Sequence, residues 1–277
     1  MIRGTTELIA HIGYPTHAFK APMIYNPYFE HAGIDAVVVP MASRGEHYPA
    51  FLRAVFALDN VRGALITMPH KVTTASLLDV ALPAVCIAGS CNAVRRDADG
   101  RLVGDMFDGE GFVRGLRRKG CTLQGARALV VGCGGVGSAI AASLAAAGVA
   151  AIALFDAHAP AAEALGGRLK DHYAALEVNV GSNDPDGCDI VVNGTPLGMN
   201  DGDPLPLDVA RISPQAFVGE VVMKTEMTAF LKAAAARGCR YQVGSDMLFE
   251  MIPAYLEFFG FPTTTPETLR ALARLSY

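Results

Sequence analysis

The sequence has little charge, and several patterns that mark other protein classes are missing from it. Only 18% of the 277 residues are charged, and the formal net charge is -4 without a long basic run, so we expect no nucleic-acid partner. No apolar stretch reaches the roughly 20 residues that span a bilayer, and no signal-type segment follows the N-terminus. We therefore expect a cytoplasmic protein with no membrane partner.

Metal-binding spacing is also missing. The six cysteines form neither a CxxC pair nor a Cys/His cluster of zinc spacing, so we expect reduced thiols without a chemical role and no metal site. What the chain does have is 51% hydrophobic residues, enough for a sizeable core. Its helix and strand patterns alternate, which is typical of the α/β class with parallel sheets.

We predict that residues 1–107 form an α/β substrate domain without a phosphate loop. Its predicted strands cover residues 8–13, 36–39 and 63–67, with helices over 23–32, 48–58 and 72–78 and a hairpin of 93–96 with 101–105. Residues 108–243 are predicted to form a Rossmann domain with a six-stranded doubly wound sheet. Residues 244–277 read as two helices, 246–259 and 266–274, that return to the first domain.

The stretch LVVGCGGVGSAIAASLA, residues 129–145, predicts the strand, tight turn and helix of a dinucleotide site. Gly132 permits the sharp turn, Gly134 permits close approach to a pyrophosphate, and Gly137 permits the helix to approach the strand. The helix N-terminus then faces the negative charge. The residues of this predicted cofactor loop are Gly132, Gly134, Gly135, Val136 and Gly137.

A carboxylate follows the next predicted strand. Asp156 ends the apolar run 151–155 and lies 24 residues beyond Gly132, which fits an acid at the tip of the second strand. Such a carboxylate accepts hydrogen bonds from the adenosine ribose hydroxyls and repels a 2′-phosphate. The sequence therefore predicts NAD as the cofactor, in preference to NADP.

Two residues are the candidates for proton transfer, although each has an ordinary structural interpretation when taken alone. Lys71 follows a strand and a proline among apolar neighbours, where burial can lower a lysine pKa into a useful range. Asp108 lies in GDMFDGEG, at the predicted junction between the domains. A lone loop lysine is usually a solvated charge and an isolated Asp-Gly is usually a turn. We expect His70 to be a loop or surface residue rather than a ligand.

Taken together, the motifs resemble the shikimate dehydrogenase family over nearly the whole chain, from about Leu8 to Phe261. They are IGYPTHAFKAP, TMPHK, GSCNAV, GDMFDGEGF, VVGCGGVGSA, NGTPLGM and GSDML, in the family's order and spacing. The resemblance implies an N-terminal substrate domain and a nicotinamide-dinucleotide domain. It also implies interconversion of an alcohol and a ketone on a cyclic carboxylate.

The resemblance further implies roles for individual residues. Lys71 matches the family's proton-transfer residue, and Asp108 its catalytic partner, which orients the lysine or the substrate hydroxyl. Thr67 and Asn92 match residues that contact ring hydroxyls. The further cofactor contacts that it implies, beside the glycine loop and Asp156, are Asn193, Thr195, Met199, Met223 and Gly244.

The substrate loop departs from the family pattern. Where the family reads Ser-x-Ser-Pro, with both hydroxyls holding the substrate carboxylate, this chain has Phe19, Lys20, Ala21 and Pro22. Hydrogen bonds to a charged group contribute about 1.5 to 3 kcal/mol each, so two losses cost roughly 3 to 6 kcal/mol. At about 1.4 kcal/mol per tenfold, affinity falls on the order of a hundredfold to ten-thousandfold. Lys20 could restore part of the lost affinity for the substrate carboxylate through its charge, but it cannot reproduce the geometry of the two hydroxyls.

Other departures also make the predicted pocket more apolar. The family carries asparagine, tyrosine and glutamine where this chain has Leu65, Met223 and Met251. On the cofactor side there is a separate departure: Asp156, Ala157 and His158 replace the Asn-Arg-Thr triplet of NADP-using members. We predict that Phe19, Ala21 and Met251 line the substrate site together with Thr67 and Asn92.

The sequence thus predicts an NAD-dependent dehydrogenase for a shikimate- or quinate-like cyclic acid, with shikimate itself no longer the best substrate. Two alternatives remain at this point. One is a nucleotide-binding sensor that has kept the fold without turnover, and the other is a dehydrogenase of the methylenetetrahydrofolate type, which the PHK and DGEG contexts suit less well. A monomer and a homodimer are equally compatible with the sequence.

Overall fold

The computed structural model of the chain describes residues 2–17 and 19–275. Two compact units are present. The first comprises the residues up to Phe107 together with those from Ile252 onwards, and the second is Asp108–Met251. Residues 244–251, which the sequence groups with the C-terminal helices, belong to the second unit.

The first unit contains a six-stranded sheet with helices beside it. Its strands are β1 (Glu7–Gly13), β2 (Ala36–Ala42), β3 (Val61–Ile66), β4 (Val80–Ala81), β5 (Ala93–Arg96) and β6 (Leu102–Asp105). Its helices are α1 (Pro22–Ala32), α2 (Tyr48–Val55), α3 (Lys71–Ala75), α4 (Pro83–Ala88) and, at the C-terminus, α10 (Pro266–Leu272). The strand order is β2-β1-β3-β5-β6-β4.

Strand β1 lies inside this sheet and pairs in parallel with β2 and β3. Ile9, Ala10 and Ile12 have no solvent exposure, as expected of a strand that is covered on both faces. The expected hairpin is present as β5 with β6. Because β5 runs antiparallel to β3, the sheet is mixed and not wholly parallel as the alternating pattern suggested.

The differences in the first unit lie in short elements. Helix α3 ends at Ala75, earlier than the predicted 78, and the sequence analysis missed β4 and α4. A two-residue strand has no periodicity to detect, and a six-residue helix covers fewer than two turns.

The second unit is a doubly wound, wholly parallel sheet, which confirms the predicted fold class. Its strands are β7 (Arg127–Val131), β8 (Ala151–Phe155), β9 (Glu177–Val180), β10 (Ile190–Asn193), β11 (Phe217–Glu220) and β12 (Arg240–Gln242). The helices α6 (Gly135–Ala146), α7 (Ala159–His172) and α8 (Ala229–Ala236) connect them. The strand order is β12-β11-β10-β7-β8-β9. Successive strands are added first on one side of β7 and then, from β10 onwards, on its other side, and such sheets bind ligands at this switch point.

Two further helices span the division between the units along the chain. They are α5 (Phe107–Arg118) and α9 (Gly244–Phe259). The sequence pattern predicts this helix over residues 111–119, whereas α5 starts at Phe107 and continues through DGEG in spite of its two glycines. Within the described residues, no helix is both long and apolar enough to cross a bilayer.

Candidate active site

The glycine loop between β7 and α6 is shaped by backbone contacts that leave no room for side chains. Gly132 has φ 96, in the left-handed region that glycine tolerates best. A methyl group at Gly137 would stand 1.8 Å from the Gly132 carbonyl oxygen, whereas one at Gly134 would meet no atom within 4 Å. Gly132 and Gly137 are therefore required by the fold, while Gly134 leaves open space at the start of the helix.

That open space lies at the N-terminus of α6. No side chain caps this helix, and its first turn, which begins with Gly135 and Val136, contains no acidic residue. Uncapped N–H groups and the positive end of the helix dipole form an anion-binding site. The loop therefore fits the pyrophosphate of a dinucleotide.

Asp156 lies immediately after β8 and contacts the same loop. Its Oδ2 accepts a hydrogen bond from the Cys133 amide at 2.7 Å, and its Oδ1 accepts one from the His158 amide at 2.8 Å. Each carboxylate oxygen has a further lone pair with which to accept a ribose hydroxyl. The carboxylate is thus fixed beside the loop by the backbone.

The loop after β10 is held by the side chain of Asn193, which has no solvent exposure. Its Oδ1 accepts from the Thr195 amide at 3.1 Å and from the Thr195 hydroxyl at 2.6 Å, and its Nδ2 donates to the Leu197 carbonyl at 3.0 Å. Thr195 also lies against the glycine loop, because a methyl group at Gly132 would be 2.7 Å from its Cγ2. Asn193 therefore shapes this loop, and Thr195 lies nearer the loop's surface.

The remaining predicted cofactor contacts differ in exposure. Met199 is 45% exposed and Met223 is 39% exposed, so neither side chain is a core residue, although methionine is usually buried. Gly244 starts α9, and a methyl group there would meet the Val222 carbonyl oxygen at 2.0 Å. All of these residues belong to the second unit.

In the first unit, the carboxyl ends of β1 and β3 meet. The Thr67 amide donates to the Ile12 carbonyl at 3.0 Å. A methyl group at Gly13 would stand 2.5 Å from Thr67 Cγ2 and 2.8 Å from Phe19 Cζ. The structure therefore brings together the predicted substrate residues Thr67 and Phe19, and Ala21 lies two residues beyond Phe19 at the start of α1.

Lys71 begins α3 directly after this strand end, and its carbonyl accepts the Cys91 amide at 2.8 Å. Asn92 is 1% exposed, and its Oδ1 accepts the Phe107 amide at 2.9 Å. Its backbone carbonyl also accepts the Ile66 amide at 2.8 Å. These bonds tie the Asn92 segment to β3 and to the start of α5.

Asp108 and Met251 belong to the second unit. Asp108 is 3% exposed and lies in the first turn of α5, where the helix dipole stabilises a carboxylate. Met251 is half-buried in α9 and packs against α5, since a methyl group at Gly111 would stand 2.6 Å from the Met251 Cβ.

His70 lies in the bend before α3, as predicted for a loop residue, but it is not at the surface. His70 is 2% exposed, its Nε2 lies 2.8 Å from the Ser43 carbonyl oxygen, and its ring stacks on Tyr48 at 3.9 Å. The Tyr48 hydroxyl in turn lies 2.6 Å from the Thr74 hydroxyl. Ser43 and Tyr48, which lie elsewhere along the chain, bury this loop side chain.

A second histidine, His11 in β1, was missed by the sequence analysis. It is 8% exposed and stacks on Phe19 with a centroid separation of 4.0 Å, and its buried Nδ1 has no hydrogen-bond partner. Burial and, as a smaller cause, the charge of Lys71 together lower the His11 pKa to about 4. The signal in the sequence was a single polar residue inside the run IAHI.

Comparison with known proteins agrees with this geometry. The model of the shikimate dehydrogenase substrate binding domain matches residues 11–94, and that of the ThiF family matches residues 117–159. Shikimate dehydrogenase (NADP(+)) of Rubrobacter xylanophilus is 34% identical and covers 98% of this chain and 97% of its own. The chain belongs to the shikimate dehydrogenase family. It is therefore an oxidoreductase of the shikimate dehydrogenase type that acts on a CH–OH group with a nicotinamide dinucleotide.

Solved structures support the same assignment to the shikimate dehydrogenase family. Shikimate 5-dehydrogenase from Listeria monocytogenes, in complex with shikimate and NAD, superposes with a TM-score of 0.91 at 25% identity, covering 98% of this chain and 97% of that one. Quinate dehydrogenase from Corynebacterium glutamicum, in complex with NAD, superposes with a TM-score of 0.84 at 27% identity, covering 96% and 98%. Within the described residues, no group of three or more histidine, cysteine or acidic side chains could hold a metal ion.

Proposed function

We propose that this family member is an NAD-dependent dehydrogenase for a hydroxylated cyclic acid related to shikimate or quinate, and that shikimate is not its best substrate. The single observation that carries the substrate part is Phe19, which stands in the sequence where the family pattern has its first carboxylate-binding serine and whose ring stacks on His11. Ala21 replaces the second hydroxyl.

In the proposed mechanism Lys71 exchanges the proton of the reacting hydroxyl, and Asp108 is its catalytic partner. A nicotinamide dinucleotide held by the glycine loop and Asp156 would supply the acceptor or donor of the hydride. Lys71 contributes by holding a proton acceptor at the substrate oxygen while the carbon–hydrogen bond breaks. Thr67 and Asn92 orient the ring through its hydroxyls, and Asn92 is preorganised by its bonds to Ile66 and Phe107.

The preference for NAD is proposed from Asp156. A carboxylate fixed beside the glycine loop by the Cys133 and His158 amides would repel a 2′-phosphate. The next two residues, Ala157 and His158, supply no arginine to bind that phosphate. The relative from Rubrobacter xylanophilus is named as an NADP(+) enzyme. The cofactor that Asp156 predicts for this chain therefore differs from the one in that relative's name.

A steady-state assay with both cofactors tests the proposal. The purified protein is assayed with NAD and with NADP against shikimate, quinate, aminoshikimate and less hydroxylated ring acids. We expect turnover of at least one ring acid with a higher kcat/KM for NAD than for NADP. Tighter NADP binding would overturn the cofactor proposal, and a shikimate kcat/KM above that of every other acid would overturn the substrate proposal.

The alternative of a sensor without turnover predicts dinucleotide binding and no reduction of cofactor with any acid in the panel. Retention of Lys71 opposes this alternative, because a sensor does not need a proton-transfer residue.

A further inference from the structure

His11 lies where a side chain can enter the substrate end of the first unit. In the parallel pairing of β1 with β3, His11 is in register with Leu65, so the two side chains leave the sheet on the same face. Two residues beyond Leu65 is Thr67, and the side chains of Thr67 and Phe19 both lie against Gly13. Leu65 also stands where the family pattern carries a polar asparagine. A polar group that is missing from β3 is therefore present on the neighbouring strand.

His11 and His70, both buried in the first unit, differ in the hydrogen bonding of their ring nitrogens. His70 has the Ser43 carbonyl at 2.8 Å and stacks on Tyr48. His11 has the Phe19 ring at 4.0 Å, and its Nδ1 is buried without a hydrogen-bond partner. Because buried polar atoms in proteins are nearly always hydrogen-bonded, an unpartnered nitrogen in a candidate binding site indicates a partner that comes with the ligand.

The chemistry of the missing partner follows from the charge of the ring. Burial and the nearby Lys71 charge lower the His11 pKa to about 4, so the imidazole is neutral at pH 7. A neutral imidazole has one donor and one acceptor nitrogen. It therefore matches a hydroxyl, which both donates and accepts, or a keto oxygen, better than it matches a carboxylate.

We propose that His11 is a substrate-binding, specificity-determining residue whose ring hydrogen-bonds a hydroxyl or keto oxygen of the cyclic substrate, while Phe19 forms the apolar wall beside it. The proposal rests on the proposed function, since it names a contact within that substrate site. It assigns to β1 the polar contact that Leu65 no longer makes from β3.

The decisive variant is His11→Val, because valine favours a strand and removes the unpartnered nitrogen. We expect KM for the best ring substrate to rise about tenfold, as for the loss of one hydrogen bond at a buried group, with kcat changed less. The dinucleotide Kd stays unchanged and Tm stays equal or rises. A purely structural histidine would instead lower Tm and leave KM unaltered.

A second variant moves the polar group between the strands. In His11→Val/Leu65→Asn, the amide returns to the β3 position on the same face, and we expect KM to recover toward the wild-type value. Analogues that each lack one ring hydroxyl locate the contact. The analogue without the hydroxyl that His11 binds should show the same KM with wild type and with His11→Val.

The outcomes separate this proposal from the proposed function. If the wild type turns over a ring acid and His11→Val has the same KM for all of them, the His11 proposal fails while the proposed function stands. If the wild type turns over none, the proposed function fails. His11 is then judged by the 15N chemical shifts of its ring, which must change on addition of the ring acids, and unchanged shifts overturn the proposal.

Discussion

The glycine loop of the second unit and the strand end of the first unit are built in different ways. The loop is shaped by the backbone, with Gly137 against the Gly132 carbonyl and Asp156 bonded to the loop amide of Cys133. The strand end is shaped by side chains, with Phe19 on His11 and Thr67 beside Gly13.

This difference shows which part of the protein can change without loss of fold. A backbone loop that needs glycine at fixed positions tolerates few substitutions, whereas side chains at a strand end can be exchanged for others that fill the same space. The substrate loop illustrates the second case, because Phe19 and Ala21 stand where the family pattern has two hydroxyl-bearing residues and β1 and α1 form on either side of them. We therefore expect the glycine-loop geometry to follow the family and substrate choice to depart from it.

The largest effect is expected from Lys71→Ala in the first unit. Loss of a general acid–base group lowers kcat by about 10²–10⁴-fold, while the Kd for NAD stays unchanged because the glycine loop belongs to the other unit. Single-turnover kinetics and NAD titration measure the two quantities. Lys232→Ala, an exposed lysine on α8, serves as the matched control. Full activity of the Lys71 variant would remove this residue from the mechanism.

The second-largest effect is expected on the stability of the second unit, from one buried side chain. Glu220 at the end of β11 has no solvent exposure, its Oε2 accepts from the Thr228 hydroxyl at 3.0 Å, and its Oε1 has no partner. Burial raises the Glu220 pKa to about 7, against the opposing effect of the Thr228 hydrogen bond. The folded state thus holds a proton that the unfolded state releases between the two pKa values.

Stability should therefore fall as the pH rises from the ordinary glutamate pKa to about 7 and then level off, by a total on the order of 3 kcal/mol from this group. Glu220→Gln, which stays neutral, should lack that decline. Urea unfolding at about pH 5 and about pH 8 measures the difference. Equal pH dependence in the two proteins would contradict the prediction.

A smaller effect is expected from Gly134→Ala in the glycine loop. The added methyl group meets no protein atom within 4 Å but enters the space in front of α6, so the fold persists while dinucleotide affinity falls by about tenfold or more, roughly 1.4 kcal/mol. Isothermal titration with NAD and a thermal melt measure the two properties.

Gly167→Ala is the matched control for Gly134→Ala. Gly167 is exposed within α7 and also has open space for a methyl group, so we expect about 0.5–1 kcal/mol of stabilisation and unchanged NAD affinity. If Gly134→Ala bound NAD as tightly as this control, the pyrophosphate would not lie at the start of α6.

Elements with a clear local pattern could be predicted from the sequence. The glycine loop, β8 and the hairpin of β5 with β6 have turn residues or apolar runs that act over a few neighbours. Two short elements could not be predicted: α4 covers fewer than two turns, and β4 takes its backbone partners from another part of the chain. The β4 residue Val80, for example, pairs with Val103 in β6.

The sequence by itself determined the fold class, the family and the dinucleotide loop, since each depends on residue types at fixed spacing. Only the tertiary structure decided that His70 is buried and bonded to Ser43 while His11 is buried with an unpartnered nitrogen. Each is a single histidine in the sequence, His11 between Ala10 and Ile12 and His70 between Pro69 and Lys71. What separates them is the set of atoms that other segments bring to each ring, and spacing along the chain does not encode those contacts.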